Sequence, residues 1–175
     1  MQLQEAISLI SDKNFQPQGP ATWADLGCGT GLFTRALADM LPAGSTICAV
    51  DKEINISREK FLVNEVEIIP VIADFVTEDL PFSNLDGILM ANSLHYVKDK
   101  NALLNKLTSY LLPSHSFLIV EYDMDRPVNT WVPYPISFAS LEKLFSGAGY
   151  HSIYRMSNRP SVYGRAAIYS AIISR

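Results

Sequence analysis

Cysteine is scarce in this sequence: Cys28 and Cys48 are the only two in 175 residues. Both fall in predicted core or turn positions and read as small buried hydrophobes. So few thiols exclude a disulfide scaffold and fit a reduced intracellular protein. The three histidines, two cysteines and the acids show no metal-ligand spacing, so no metal site is expected. No G-x-S-x-G nucleophile elbow is present. Lysine and arginine form no run, and a net charge of −4 with a pI near 5.3 gives no nucleic-acid footprint. No apolar run is long enough to cross a bilayer. The first residues carry Glu5 and Asp12 and lack a basic start followed by an apolar core, so they are not read as a signal peptide. A cytoplasmic location is expected. There is no internal repeat, low-complexity tract or linker, and residues 1–175 are read as one domain with length enough for a real core.

What the chain does have is a glycine turn. The apolar, β-prone run Ala21–Leu26 ends in Gly27-Cys28-Gly29-Thr30-Gly31, and Phe33–Leu41 then reads as a helix. Strand, glycine turn and helix in that order make a nucleotide-type pocket at the carboxyl end of the strand, with the amino end of the helix aimed at the same point. The dinucleotide fingerprint is G-x-G-x-x-G/A. Here the glycines alternate, and the last small position of the fingerprint is Leu32, which argues against NAD.

Around that turn, strand and helix alternate. Residues 2–13 read as a short amphipathic helix on Leu3, Ile7 and Ile10, followed by a linker to residue 19. Strands are expected at 46–50, 66–73, 86–91 and 116–122, with helices at 54–65 and 101–112, the last stopped by Pro113. Residues 123–136 form a loop rich in proline and aromatics. A helix over 137–148 has Ser137 as its cap and Gly149 just past its end. Two β runs, 150–157 and 167–173, close the chain. The alternation implies an α/β fold with parallel strands joined by right-handed crossovers.

The stretch Asp25-Leu26-Gly27-Cys28-Gly29-Thr30-Gly31 resembles the first motif of the class I S-adenosylmethionine-dependent methyltransferases, and the resemblance extends over residues 20–175. It implies a Rossmann-like, mostly parallel seven-stranded sheet with helices on both faces and an antiparallel C-terminal strand. It implies S-adenosyl-L-methionine as cofactor, with S-adenosyl-L-homocysteine as product. The cofactor-binding residues that follow are Asp25, Gly27, Cys28, Gly29, Gly31, Asp51, Lys52, Asp74, Phe75 and Asn92. Asp51 at the end of the second strand is placed as the ribose acid, since a carboxylate accepts from both hydroxyls; otherwise it caps the helix starting at Ile54. Lys52 either lays its stem on the adenine or is solvated. Asp74 is placed at the adenine amino group, with the Phe75 N–H against the ring. Asp25 orients the turn and meets the methionine ammonium, or else bonds only the turn amides. Asn92 belongs to the segment lining the methionine end.

His95 and Tyr96 are the catalytic candidates, because histidine exchanges a proton near neutral pH; in the other reading they pack and shape the pocket. The loop with Arg126, Trp131 and Tyr134 holds an aromatic or anionic acceptor, or serves as a lid or dimer contact. Arg159, Tyr163 and Arg165, between the last strands, are open to the same two readings. The expected activity is methyl transfer to a small molecule, with no nucleic-acid or membrane partner and a monomer or homodimer as the working form. The rival is a protein that binds the same cofactor without turnover.

Overall fold

The computed structural model describes residues 1–56, 62–128, 131–160 and 167–175. Strands β1 (Thr22–Leu26), β2 (Thr46–Asp51), β3 (Leu62–Val63), β4 (Val66–Ile72), β5 (Leu85–Ala91), β6 (Leu111–Tyr122), β7 (Ser152–Pro160) and β8 (Ala167–Ser174) form one sheet in the order β3-β4-β2-β1-β5-β6-β8-β7. The five strands from β4 to β6 across the middle run parallel. β8 runs antiparallel to both β6 and β7.

The described sheet has eight strands, one more than the resemblance implies. The addition is β3, which pairs antiparallel with β4 through Leu62↔Glu67 and Val63↔Val66. Asn64 and Glu65 between them take φ of 50° and 60°, the left-handed pair of a tight hairpin turn. Residues 54–56 and 62–65 are therefore not helical, contrary to the expected 54–65 helix, whose centre, 57–61, lies outside the described residues.

Strand residues alternate between two cores. On one face, Trp23, Ile47, Leu89 and Leu118 pack with α1 (Leu3–Ile10) and α2 (Leu32–Ala38). On the other, Ala24, Leu26, Ile88, Met90 and Phe117 pack with α3 (Lys100–Thr108) and α4 (Phe138–Gly147). Gly87 is demanded by this packing, since a Cβ there would lie 2.4 Å from the Trp23 ring. α3 ends at Thr108 rather than 112. The Tyr110 carbonyl already accepts from the Leu85 N–H (2.9 Å), and Leu111 pairs with Leu85 in the sheet.

α4 shows both expected caps. The Ser137 hydroxyl accepts from the Ser140 N–H at 3.2 Å. At its other end the Gly149 N–H donates to Ser146 and the Tyr150 N–H to Phe145, both at 3.0 Å, with Gly149 at φ +86°. This is the Schellman arrangement, completed by the Tyr150 ring 5.3 Å from that of Phe145.

Candidate active site

The parallel strands point their carboxyl ends the same way, and the chain reverses direction across the sheet between β1 and β5. A crevice opens at such a point. It holds a cleft of about 550 Å³ that brings together Gly27, Asp51, Lys52, Asp74, Phe75, Asn92 and Tyr96. Val76, Thr77 and Ser93, which the sequence did not single out, also line it.

The glycine turn is built by its neighbours. The N–H groups of Gly27 and Cys28 both donate to the Val50 carbonyl, at 2.8 and 3.0 Å. Gly27 has φ +84°, and a Cβ there would sit 2.5 Å from the Ser93 Cβ. The close approach that requires glycine is thus made by the loop after β5, which the Ser93 hydroxyl fastens by donating to the Leu26 carbonyl at 2.6 Å. Gly29 faces open space and its N–H donates to Asp51 Oδ2 at 2.8 Å. Gly31 is the N-cap of α2.

Asp25 is buried behind the turn. Its Oδ2 accepts from the Thr34 hydroxyl at 2.6 Å, and its Oδ1 has no partner among the described residues. The donor is a side chain of α2, not a glycine-turn amide. Burial pushes the Asp25 carboxyl up to about 7, with Thr34 opposing and the nearby Asp51 charge adding to the rise. Burial likewise pushes the Cys28 thiol up, with Asp25 and Asp51 reinforcing it, so Cys28 stays neutral.

Asp51 sits in the cleft, and no helix begins at Ile54 for it to cap. Lys52 extends across the mouth, 70% exposed, with Nζ 3.0 Å from Asp74 Oδ2. Asp74 Oδ1 accepts from the Val76 N–H at 3.0 Å. Partial burial raises the Asp74 carboxyl, but bonds from Lys52, Val76 and Thr77 outweigh it and hold the group below the usual range. Asn92 takes φ +55°, and its Oδ1 is buried without a partner among the described residues.

His95 does not line the cleft; it is buried in the wall behind it, while Tyr96 stands 57% exposed at the mouth. The two rings lie 4.3 Å apart. Glu121, the last acid of β6, accepts from the His95 backbone N–H at 3.0 Å and lies 2.7 Å from its Nδ1. A carboxylate can only accept, so Glu121 holds the ring through its Nδ1 edge. The signal that found Asp51 and Asp74, an acid closing an apolar strand, applies to Glu121 as well.

The late loop docks on this segment. The Tyr134 N–H donates to the His95 carbonyl at 2.9 Å. Trp131 and Tyr134 are exposed, and neither they nor Arg126 line the cleft. Arg159 belongs to β7 and donates to the Ser8 hydroxyl of α1 at 2.5 Å. Tyr163 and Arg165 lie outside the described residues. Among the described residues no cluster of metal-ligating side chains occurs, and no helix is long and apolar enough to cross a membrane.

A parallel α/β sheet that ends in an antiparallel hairpin, with a glycine turn and acids at successive strand ends, defines the class I methyltransferase architecture. The Methyltransferase domain family matches residues 2–154, and the chain belongs to it. A methyltransferase of Mycobacterium tuberculosis, described only as uncharacterized, is 27% identical over 107 residues, which are 61% of this chain and 53% of that one. The chain thus spans about half the length of the curated relatives it matches.

Two crystal structures share the fold. A SAM-dependent methyltransferase from Aquifex aeolicus superposes with a TM-score of 0.64 at 18% identity, covering 99% of this chain and 98% of that one. The Burkholderia thailandensis 1,6-didemethyltoxoflavin-N1-methyltransferase, with its substrate and S-adenosylhomocysteine bound, gives 0.69 at 18%, covering 99% and 77%.

Proposed function

We propose that the cleft binds S-adenosylmethionine and that the protein transfers its methyl group to a small-molecule acceptor. The observation that carries this is the convergence of Gly27, Asp51, Asp74 and Asn92, from four different strand ends, on one cleft of cofactor size. The chemistry of the donor set fits the ligand. Asp51 has oxygen lone pairs beyond the one taken by Gly29 and would accept from ribose hydroxyls. Asp74 would accept from the adenine amino group beside Lys52. The unpartnered Oδ1 atoms of Asn92 and Asp25 are acceptors awaiting a donor, and an ammonium supplies one. A neutral Cys28 fits the turn without adding a charge.

The cofactor, when bound, supplies an already activated methyl group. The chain's own residues then need only bind, orient and exclude water. His95, oriented by Glu121, is the candidate to take a proton from an acceptor that must lose one, and Tyr96 lies at the mouth where an acceptor arrives. A small-molecule acceptor is supported by the acceptor of the Burkholderia neighbour, and a reduced, cytoplasmic setting by two free buried cysteines. Residues 1–175 are taken as one domain acting as monomer or homodimer, with 123–136 on the acceptor side.

The seating of His95 behind the cleft wall favours one second reading, a protein that binds the cofactor without turnover. Titration calorimetry with S-adenosylhomocysteine, followed by a labelled-methyl assay over metabolite extracts, separates the two. Saturable binding with label in the small-molecule fraction supports catalysis. Binding without transfer supports the second reading, and no binding by folded protein sinks both.

A further inference from the structure

Two segments are fastened to α3, each by a lysine: the turn at 74–78, which lines the cleft, and the Tyr134 loop, which bonds the His95 backbone outside it. Lys106 donates from Nζ to the carbonyls of Phe75 (3.2 Å), Val76 (3.5 Å) and, closer still, Glu78. Lys100, at the start of the same helix, donates to the carbonyls of Val97 (2.8 Å) and Tyr134 (2.7 Å). An ammonium has three N–H donors and no acceptor, so Lys106 is matched to three carbonyls.

Those carbonyls close a single turn over residues 74–78. Within it the Thr77 and Glu78 N–H groups donate to the Asp74 carbonyl, at 3.1 and 2.8 Å, and the Asp74 N–H donates to Glu78 Oε1 at 3.1 Å. A cation on the free carbonyls of such a turn acts as a basic residue does at the end of a helix. Asp74, Phe75, Val76 and Thr77 of this turn face the cleft. Between the two lysines, Leu103 and Leu104 are buried in the core, so the helix itself is seated on the sheet. The lysines are six positions apart, about 9 Å along the axis.

We propose that α3 is a crossbar for the cleft: Lys106 positions the turn on the adenine side, and Lys100 positions the Tyr134 loop on the acceptor side. The assignment of sides rests on the cofactor reading above; the two clamps do not. Lys106 and Lys100 are positioning residues, and neither lines the cleft.

The test compares the full chain with K106M, K106R and K100M, by amide hydrogen exchange and by calorimetric titration with S-adenosylhomocysteine. K106M is expected to speed exchange in 74–78 alone and to raise the dissociation constant about tenfold, the scale of a lost charge-assisted bond. K106R, which keeps a cation with several donors, recovers most of both. K100M speeds exchange in 131–136 and leaves the dissociation constant within about twofold. If K106M does not fold, K106Q carries the same readout. Unchanged exchange at 74–78 in the Lys106 variants, or loosening of both segments by either single change, overturns the crossbar. If the native chain binds no S-adenosylhomocysteine while K106M still loosens 74–78, the clamp stands and the cofactor reading falls.

Discussion

At the scale of the residue, Asp25 has the sharpest consequence. Its folded-state pKa of about 7 lies above the ordinary 3.8, so between those values the native chain holds a proton that the unfolded chain has lost. The stability that Asp25 contributes therefore falls as pH rises from about 4 to about 7 and levels off above. Asp25→Asn removes the buried charge and should raise stability at pH 8 by up to a few kcal/mol, with little effect near pH 4. Urea melts at the two pH values check this; an equal shift at both contradicts it. A ligand ammonium near Asp25 favours the ionised form, so binding should release a proton near pH 7 and tighten between pH 6 and 8. Titrations in buffers of different ionisation heat would count that proton. Asp51→Ala should weaken S-adenosylhomocysteine binding by roughly 1–3 kcal/mol, and an unchanged affinity would move the ribose elsewhere.

The acids at strand ends were legible because each closes an apolar run within a few residues. Thr34 and Ser93 were not, because their partners are fixed by packing, Asp25 by the seating of α2 against β1 and the Leu26 carbonyl by the approach of the loop after β5. Glu121 finds its histidine 26 residues away, a separation that only the pairing of β5 with β6 closes.

At the scale of the element, the central strands and α4 were readable from alternation and caps, which are local. The β3 hairpin was not. Residues 54–65 lack glycine and proline, so nothing in composition marks the Asn64-Glu65 turn against a helical reading. The end of α3 was overrun because Leu111 continues the helical spacing of Leu103, Leu104 and Leu107 while the sheet claims it through Leu85. Tertiary pairing overrides local period there. Gly87→Ala tests the packing of the strand directly. A methyl group 2.4 Å from the Trp23 ring forces that ring from its place against Phe15, at a cost of roughly 1–3 kcal/mol in urea denaturation. A variant as stable as the native chain would show that the Trp23 side of the sheet repacks freely.

At the scale of the whole molecule, one sheet is covered by helices on both faces, and its crevice lies beyond the carboxyl ends of the paired strands β1 and β5, whose following helices pack on opposite faces. Ligand bound there touches loops from four strands, so it should stabilise the entire cooperative unit. S-adenosylhomocysteine at a hundred times its dissociation constant should add about 2.7 kcal/mol, which in a chain of this size raises Tm by about 5–10 °C. A thermal scan that shows no rise at saturation contradicts the placement of the ligand.

The pair of hydrogen bonds that Gly27 and Cys28 donate to the Val50 carbonyl bears on speed. Together with the Gly29 N–H on Asp51, it ties the tip of β2 to the glycine turn before anything arrives, so these parts move as one piece. Little ordering is left for an incoming molecule to impose. In stopped-flow mixing, the observed association rate should climb linearly with ligand concentration, with no plateau and no slow second phase.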